Sequence, residues 1–213
     1  MDITSIVLAG GKGLRLGRDK ATEILNGQSL VKRVVTSLSS LTSDIILVSG
    51  SDKASLGLDG YPGLRVVSDV YPGKGPLVGI YSGLTASASS YNLVAACDMP
   101  FLNLELIAYL LKETDGYDVV LPRLDNMVEP LHAVYSRACL PTIEEMFRQG
   151  KYGVHQLYEL VKVRYVEADE IDRFDPYHIS FFNVNTEANL AAAREMAGRI
   201  DEYDSLSEIR REV

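Results

Sequence analysis

Residues 8–20, LAGGKGLRLGRDK, gather the densest set of groups able to hold a polyanion. Gly10, Gly11, Gly13 and Gly17 permit tight turns and close backbone approach, because no Cβ stands in the way. Successive exposed N–H groups in such a loop form an anion nest. Arg15 adds a planar fork for phosphate oxygens and Lys20 a movable point charge. Lys12, Arg15, Arg18 and Lys20 put four cations within nine residues, against Asp19 alone. The rest of the chain is acidic, with 29 Asp and Glu against 21 Lys and Arg and a net charge of −8. That balance repels nucleic acid and anionic membranes, so a polyphosphate must be held by a local cradle. Two common nucleotide loops are excluded. Gly11-Lys12-Gly13-Leu14-Arg15-Leu16 fails G-x-G-x-x-G at its last place, and no glycine pair here fits G-x-x-x-x-G-K-[ST].

Two carboxylates complement the cations. Asp98 follows the apolar run NLVAAC (92–97) and precedes Met99-Pro100. At the carboxyl end of a parallel strand it faces the ligand crevice. Mg²⁺ takes oxygen ligands, typically one or two carboxylates plus phosphate oxygens. The competing role for Asp98 is a cap for the helix that follows. Asp69 ends the run LRVVSDV (64–70), where it either meets a ligand or shapes the turn before Tyr71-Pro72. Asn183 and Asn185 alternate along FFNVN and share one face of a strand. His132, inside an apolar strand, is expected to be buried and hydrogen-bonded. His155 and His178 lack metal-ligand spacing. Cys97 and Cys139 are expected as buried thiols in a reducing compartment.

The elements that must position these groups follow from periodicity. Residues 3–8, 44–48, 64–70, 92–97 and 117–121 read as apolar strands, with 131–135 pairing beside the last, and 163–166 and 181–185 following. Helical spacing marks a segment after the Asn26-Gly27 turn, capped by Ser29, and others after Pro76, over 103–112, 139–148 and 154–160. Thr186 caps a last helix to about Ile200, and 201–213 reads as a solvated peripheral tail. Strands alternating with amphipathic helices imply an α/β fold: a three-layer, open, mostly parallel sheet with helices on both faces. The whole of 1–213 is expected to be a single domain, with no span long and apolar enough to cross a membrane and no secretion signal, hence cytoplasmic.

The spacing LAGG-x-x-x-R-x-G-x-D-K resembles the loop of molybdenum cofactor guanylyltransferases, which share a Rossmann-like sheet with cytidylyl- and uridylyltransferases. CDMPFL (97–102), GKGPLVGIYSGL (73–84), EPLHAVYS (129–136) and NVNTEANL (183–190) match further family segments in the same order, covering Ile3 to about Ala197. Gly13, Leu16 and Glu187 depart from the commoner family residues without changing the size or helix preference of their positions. The resemblance implies that Leu8, Ala9, Gly10, Gly11, Asp69 and Gly79 lie against the nucleotide and that Arg15 and Lys20 hold its phosphates. Asp98 would carry Mg²⁺, Asn183 and Asn185 would face the acceptor, and Lys151 and Tyr152 could reach the acceptor phosphate. The implied reaction transfers GMP from GTP to the terminal phosphate of molybdopterin or the molybdenum cofactor. Other cofactor-biosynthesis or acceptor proteins would be further partners. A cytidylyltransferase of the same fold is the nearest alternative, and a GTP-binding adaptor without turnover the alternative from another class.

Overall fold

The computed structural model describes residues 3–9 and 20–211, with side chains through residue 199. The chain runs β1 (Ile3–Leu8), β2 (Ile24–Leu25), β3 (Gln28–Ser29), α1 (Leu30–Ser39), β4 (Ile45–Val48), β5 (Leu64–Val67), α2 (Pro76–Ala86), β6 (Tyr91–Ala96) and α3 (Leu104–Lys112). It continues through β7 (Val119–Leu124), β8 (Met127–Val128), β9 (His132–Ser136), α4 (Leu140–Arg148), α5 (Val154–Tyr158), β10 (Val163–Glu167), α6 (Ala168–Ile171) and α7 (Glu187–Arg211).

The main sheet has the order β10-β7-β9-β6-β1-β4-β5, with β8 attached to β7. β9 runs antiparallel to β6 and β7, and β8 antiparallel to β7; β1, β4, β5 and β6 pair in parallel, as do β7 and β10. The expected three-layer, mostly parallel sheet is thus the observed one. The inner strands read as unbroken apolar runs because both faces are covered. One face buries Val7, Leu47, Leu93 and Val120 under α1 and α3, the other Ile6, Ile46, Val94 and Leu121 under α2 and α4. The chain places β4 and β5 on one side of β1, then crosses to add β6 on the other. This reversal opens a crevice above the carboxyl ends of β1 and β6.

Helix ends follow the sequence signals. The Ser29 hydroxyl accepts from the Lys32 amide at 3.4 Å, and the Thr186 hydroxyl from the Asn189 amide at 3.1 Å. Leu190, Ala193 and Ala197, at helical spacing, bury one face of α7 with Leu25, Leu30 and Val184. The α7 backbone stays helical to Arg211, beyond the expected end near Ile200. β5 ends at Val67, so Asp69 lies past the strand rather than at its tip, and 181–185 is not a strand: a 3₁₀ turn over Ile179–Phe181 leads into irregular backbone. No helix of the described residues is long and apolar enough to cross a membrane.

Gly83 lets α2 settle on β1. A Cβ there would stand 2.4 Å from Ile6 Cγ2 and 2.9 Å from its Cδ1, inside a fully buried contact. Gly83→Ala is expected to destabilise the fold by about 1–3 kcal/mol through overpacking, read as a lower urea midpoint at unchanged slope.

Candidate active site

The crevice is assembled from three segments distant in sequence. Lys20 opens a 3₁₀ turn that follows β1. Asp98 stands two residues beyond β6, where the Cys97 amide donates to the Leu8 carbonyl at 3.1 Å and ties the β6 end to the β1 end. Asn185 arrives from the segment before α7, which is locked to the same place because the Val184 amide donates to the Asp98 carbonyl at 2.9 Å. Val184 is fully buried, so its two neighbours are turned away from the core. The Asn183 side chain donates to the Phe181 carbonyl at 3.1 Å, and the Asn185 side chain is the one that meets Lys20.

The Lys20 ammonium joins the other two side chains. It lies 3.5 Å from Asp98 Oδ2 and donates to Asn185 Oδ1. Both charged side chains are about one-fifth exposed, at 22% for Lys20 and 19% for Asp98, so solvent screens the pair only in part. Burial pushes the Asp98 carboxyl above the usual range, and Lys20 offsets only some of that shift. A carboxylate so under-compensated has capacity for a further cation. Asp98 does not cap α3: Asn103 does, accepting from the Leu106 amide at 2.9 Å. That removes the structural role that competed for Asp98. Among the described residues no three His, Cys, Asp or Glu gather into a group that could hold a metal ion.

Asp69 sits on the same edge beyond β5. Ser82 donates to Asp69 Oδ1 at 3.1 Å and accepts the Val70 amide at 3.1 Å, and partial burial raises the carboxyl's pKa. Ser82 is a positioning group that sequence reasoning missed. Its one signal is a polar residue inside the apolar run LVGIYSGL.

Leu8, Ala9 and Gly79 also serve the packing of the sheet. The Leu8 and Ala9 side chains point into the two cores, and a Cβ on Gly79 would meet Leu8 at 3.2 Å. The smallness of Gly79 serves the packing of α2 on β1. Gly75 precedes α2 at φ +101 without a side-chain cap bond, Pro76 opens the helix, and the Val78 amide donates to the Gly75 carbonyl at 3.2 Å. Gly10, Gly11 and Arg15 lie outside the described residues.

Residues 5–168 match the family described as the MobA-like NTP transferase domain. A probable molybdenum cofactor guanylyltransferase from Pelotomaculum thermopropionicum is 39% identical over 92% of this chain and 94% of its own length. A molybdenum cofactor guanylyltransferase from Desulfosudis oleivorans is 35% identical over 93% and 98%.

The chain belongs to the MobA-like NTP transferase family.

The solved structure of molybdopterin-guanine dinucleotide biosynthesis protein A from Archaeoglobus fulgidus superposes with a TM-score of 0.79 at 30% identity, covering 92% of this chain and 99% of that one. Nucleotidyltransferases of the MobA-like family use a divalent metal, which fits the under-compensated Asp98. Beyond Asp69 an aromatic cluster surrounds Phe147: Tyr71 and Tyr81 meet it edge-on at 5.8 and 5.3 Å, and Tyr152 stacks on it at 5.1 Å with the Lys74 ammonium over the Tyr152 ring. Lys151, beside Tyr152, is exposed.

His132 corrects an expectation. It is buried, at 1% exposure, but neither ring nitrogen has a hydrogen-bond partner. The ring packs on Phe181 at 5.0 Å, two residues before Asn183. Burial lowers its pKa to about 4, against a smaller opposing pull from Asp175.

Proposed function

We propose that this protein transfers GMP from GTP to the terminal phosphate of molybdopterin, releasing pyrophosphate, with Mg²⁺ as its metal and the cytoplasm as its compartment. The observation that carries the reading is the Lys20 ammonium set between Asp98 and Asn185 at the switch point of the sheet. The kinship with guanylyltransferases along nearly the whole chain supports the choice of reaction. Cys97 and Cys139 are both buried, as expected of cysteines in a reducing compartment.

The reaction is an in-line displacement. An oxygen of the acceptor phosphate bonds to the α-phosphorus of GTP while the bond from that phosphorus to the β-bridging oxygen breaks. A phosphate monoester is already largely dianionic near neutral pH, its second pKa being about 6, so the nucleophile needs no general base. The task of the protein is positioning and charge neutralisation. Lys20 would sit against the phosphate oxygens on which charge accumulates as pyrophosphate departs, with Arg15 as its partner from the glycine loop. Asn185 orients that ammonium and, with Asn183, faces the acceptor. Asp69, fixed by Ser82, and the backbone of Leu8, Ala9, Gly10, Gly11 and Gly79 would border the nucleotide. Asp98 would hold Mg²⁺, which supplies neutralisation of the α-phosphate when bound.

Base choice rests on the Ala9-Gly10-Gly11 sequence, which resembles the guanylyl branch rather than the cytidylyl one. With Mg²⁺, GTP at about 100 times its dissociation constant is expected to stabilise the protein by about 2.7 kcal/mol, seen as a raised melting temperature, with no rise for CTP. A rise with CTP alone would assign the protein to cytidylyl transfer. A rise with GTP but no pyrophosphate release on adding molybdopterin would make it a binding adaptor.

A further inference from the structure

The connection from Val70 to Gly75 joins Asp69 to helix α2 with little support from its own backbone. Its residues are exposed, and Gly73 and Gly75 take left-handed φ values of +80 and +101. Within it the Lys74 amide donates to the Tyr71 carbonyl at 3.4 Å, a long bond. Both of its ends lie at the carboxyl edge of the sheet. Asp69 stands beyond β5 and is held by Ser82. Helix α2 packs Gly83 on Ile6 and Gly79 on Leu8, the last residue of β1, so its first turn at Pro76 lies past the carboxyl end of that strand.

Side chains from α4 and the turn after it hold this connection from outside. Ile143 and Met146 bury α4 in the core. The Gly150 amide donates to the Phe147 carbonyl at 2.9 Å and the Lys151 amide to the Met146 carbonyl at 2.8 Å, with Gly150 at φ +71. That turn brings Tyr152 back onto Phe147, where the rings stack at 5.1 Å, and the buried Val154 anchors the chain beyond it. The Tyr152 ring is therefore a fixed surface beside a loose connection. The Lys74 ammonium lies over its face, 5.2 Å from the centroid, and Tyr71 meets Phe147 edge-on at 5.8 Å. Among the described residues Lys74 forms no ion pair, so the ring face is what holds this cation.

We propose that Tyr152 is a positioning residue for the nucleotide: through Lys74 its ring face sets the connection that carries Asp69 and the first turn of α2 to the site. The inference rests on the guanylyl-transfer reading above and gives Tyr152 no contact with the acceptor. A connection already pinned loses less conformational freedom when the nucleotide binds, so the effect falls on nucleotide affinity and not on the chemical step. The face of the ring does this, and the phenolic hydroxyl is not needed.

Titration calorimetry with GTP and Mg²⁺ tests the proposal, each variant first being checked for an intact melting transition. Tyr152→Ala is expected to weaken GTP binding about fivefold, the scale of one partly exposed cation–π contact. Tyr152→Phe, which keeps the ring, is expected to stay within about twofold of wild type. Lys74→Met, a change at an exposed position, is expected to match Tyr152→Ala, and the double variant to be no weaker than either single one, because both remove the same contact. In transfer assays Tyr152→Ala is expected to raise KM for GTP about fivefold while kcat and KM for molybdopterin stay within about twofold. Unchanged GTP affinity in Tyr152→Ala and Lys74→Met would overturn the proposal even with guanylyl transfer intact, as would a Tyr152→Phe as weak as Tyr152→Ala. A raised KM for molybdopterin at unchanged GTP affinity would also overturn it and give Tyr152 to the acceptor. A wild type that binds CTP in place of GTP, with an affinity that falls in the same two variants, would uphold the positioning role and sink the guanylyl-transfer reading instead.

Discussion

Lys20→Ala and Asp98→Ala are each expected to yield a folded protein whose guanylyl transfer is down about 100-fold or more, the scale of losing one preorganised charge contact at a reacting centre. Both side chains lie at the open end of the sheet, and neither fills the cores. Their truncation therefore leaves packing intact, and a preserved melting transition separates lost chemistry from lost structure. The two losses should not add. Lys20 and Asp98 touch each other and share the phosphate charge, so the double variant is expected to be little worse than the more impaired single one. Steady-state pyrophosphate release measures all three. Near-wild-type turnover in either single variant would remove that residue from the mechanism.

The second large effect is on stability against acid and comes from His132. Its pKa is held at about 4 in the folded protein, against 6.5 in the free side chain. A base whose folded pKa is lowered takes up its proton first in the unfolded chain. Stability is therefore complete above pH 6.5, falls as the pH drops from there toward 4, and levels off below. The loss attributable to His132 approaches about 3 kcal/mol across that window. Asp175 is the charged group acting on the ring, and its own carboxylate is engaged by the Ile179 and Ser180 amides at 3.0 and 2.9 Å and by the Ser180 hydroxyl. His132→Phe removes two unpartnered buried nitrogens and keeps an aromatic ring on Phe181. It is expected to raise the urea midpoint at pH 7 by about 1 kcal/mol of stability and to flatten the acid-limb slope between pH 6.5 and 4. An unchanged slope in the variant would mean that the imidazole is not the group responsible.

The layered architecture was legible because the strands carry their own evidence. ITSIVL and NLVAAC are too short for helices and too apolar for half-exposed strands, and they alternate with helical stretches that carry Ser29 and Thr186 as caps. The pairing of Lys20 with Asp98 was legible on the same grounds, since both follow apolar strands that a parallel sheet ends on one edge. What stayed hidden were contacts that leave no local pattern. Nothing in FFNVN says that Val184 will bond to the Asp98 carbonyl and so carry Asn185 to Lys20. The 3₁₀ turn before it defeats the strand assignment because the β-branched, apolar run is too short to reach a sheet partner. Gly79 shows the same limit. A glycine near a loop signals close approach, but the sequence cannot say whether a ligand or Leu8 makes it.

The central claim is that Asp98 and Lys20 hold a metal-bound triphosphate between them. The Mg²⁺ dependence of GTP affinity, measured by titration calorimetry on the wild type and on Asp98→Ala, tests it most directly. Mg²⁺ is expected to tighten GTP binding by about tenfold or more in the wild type, the worth of one charge-assisted contact, and this gain is expected to disappear in Asp98→Ala. The same Mg²⁺ gain in both proteins would contradict it.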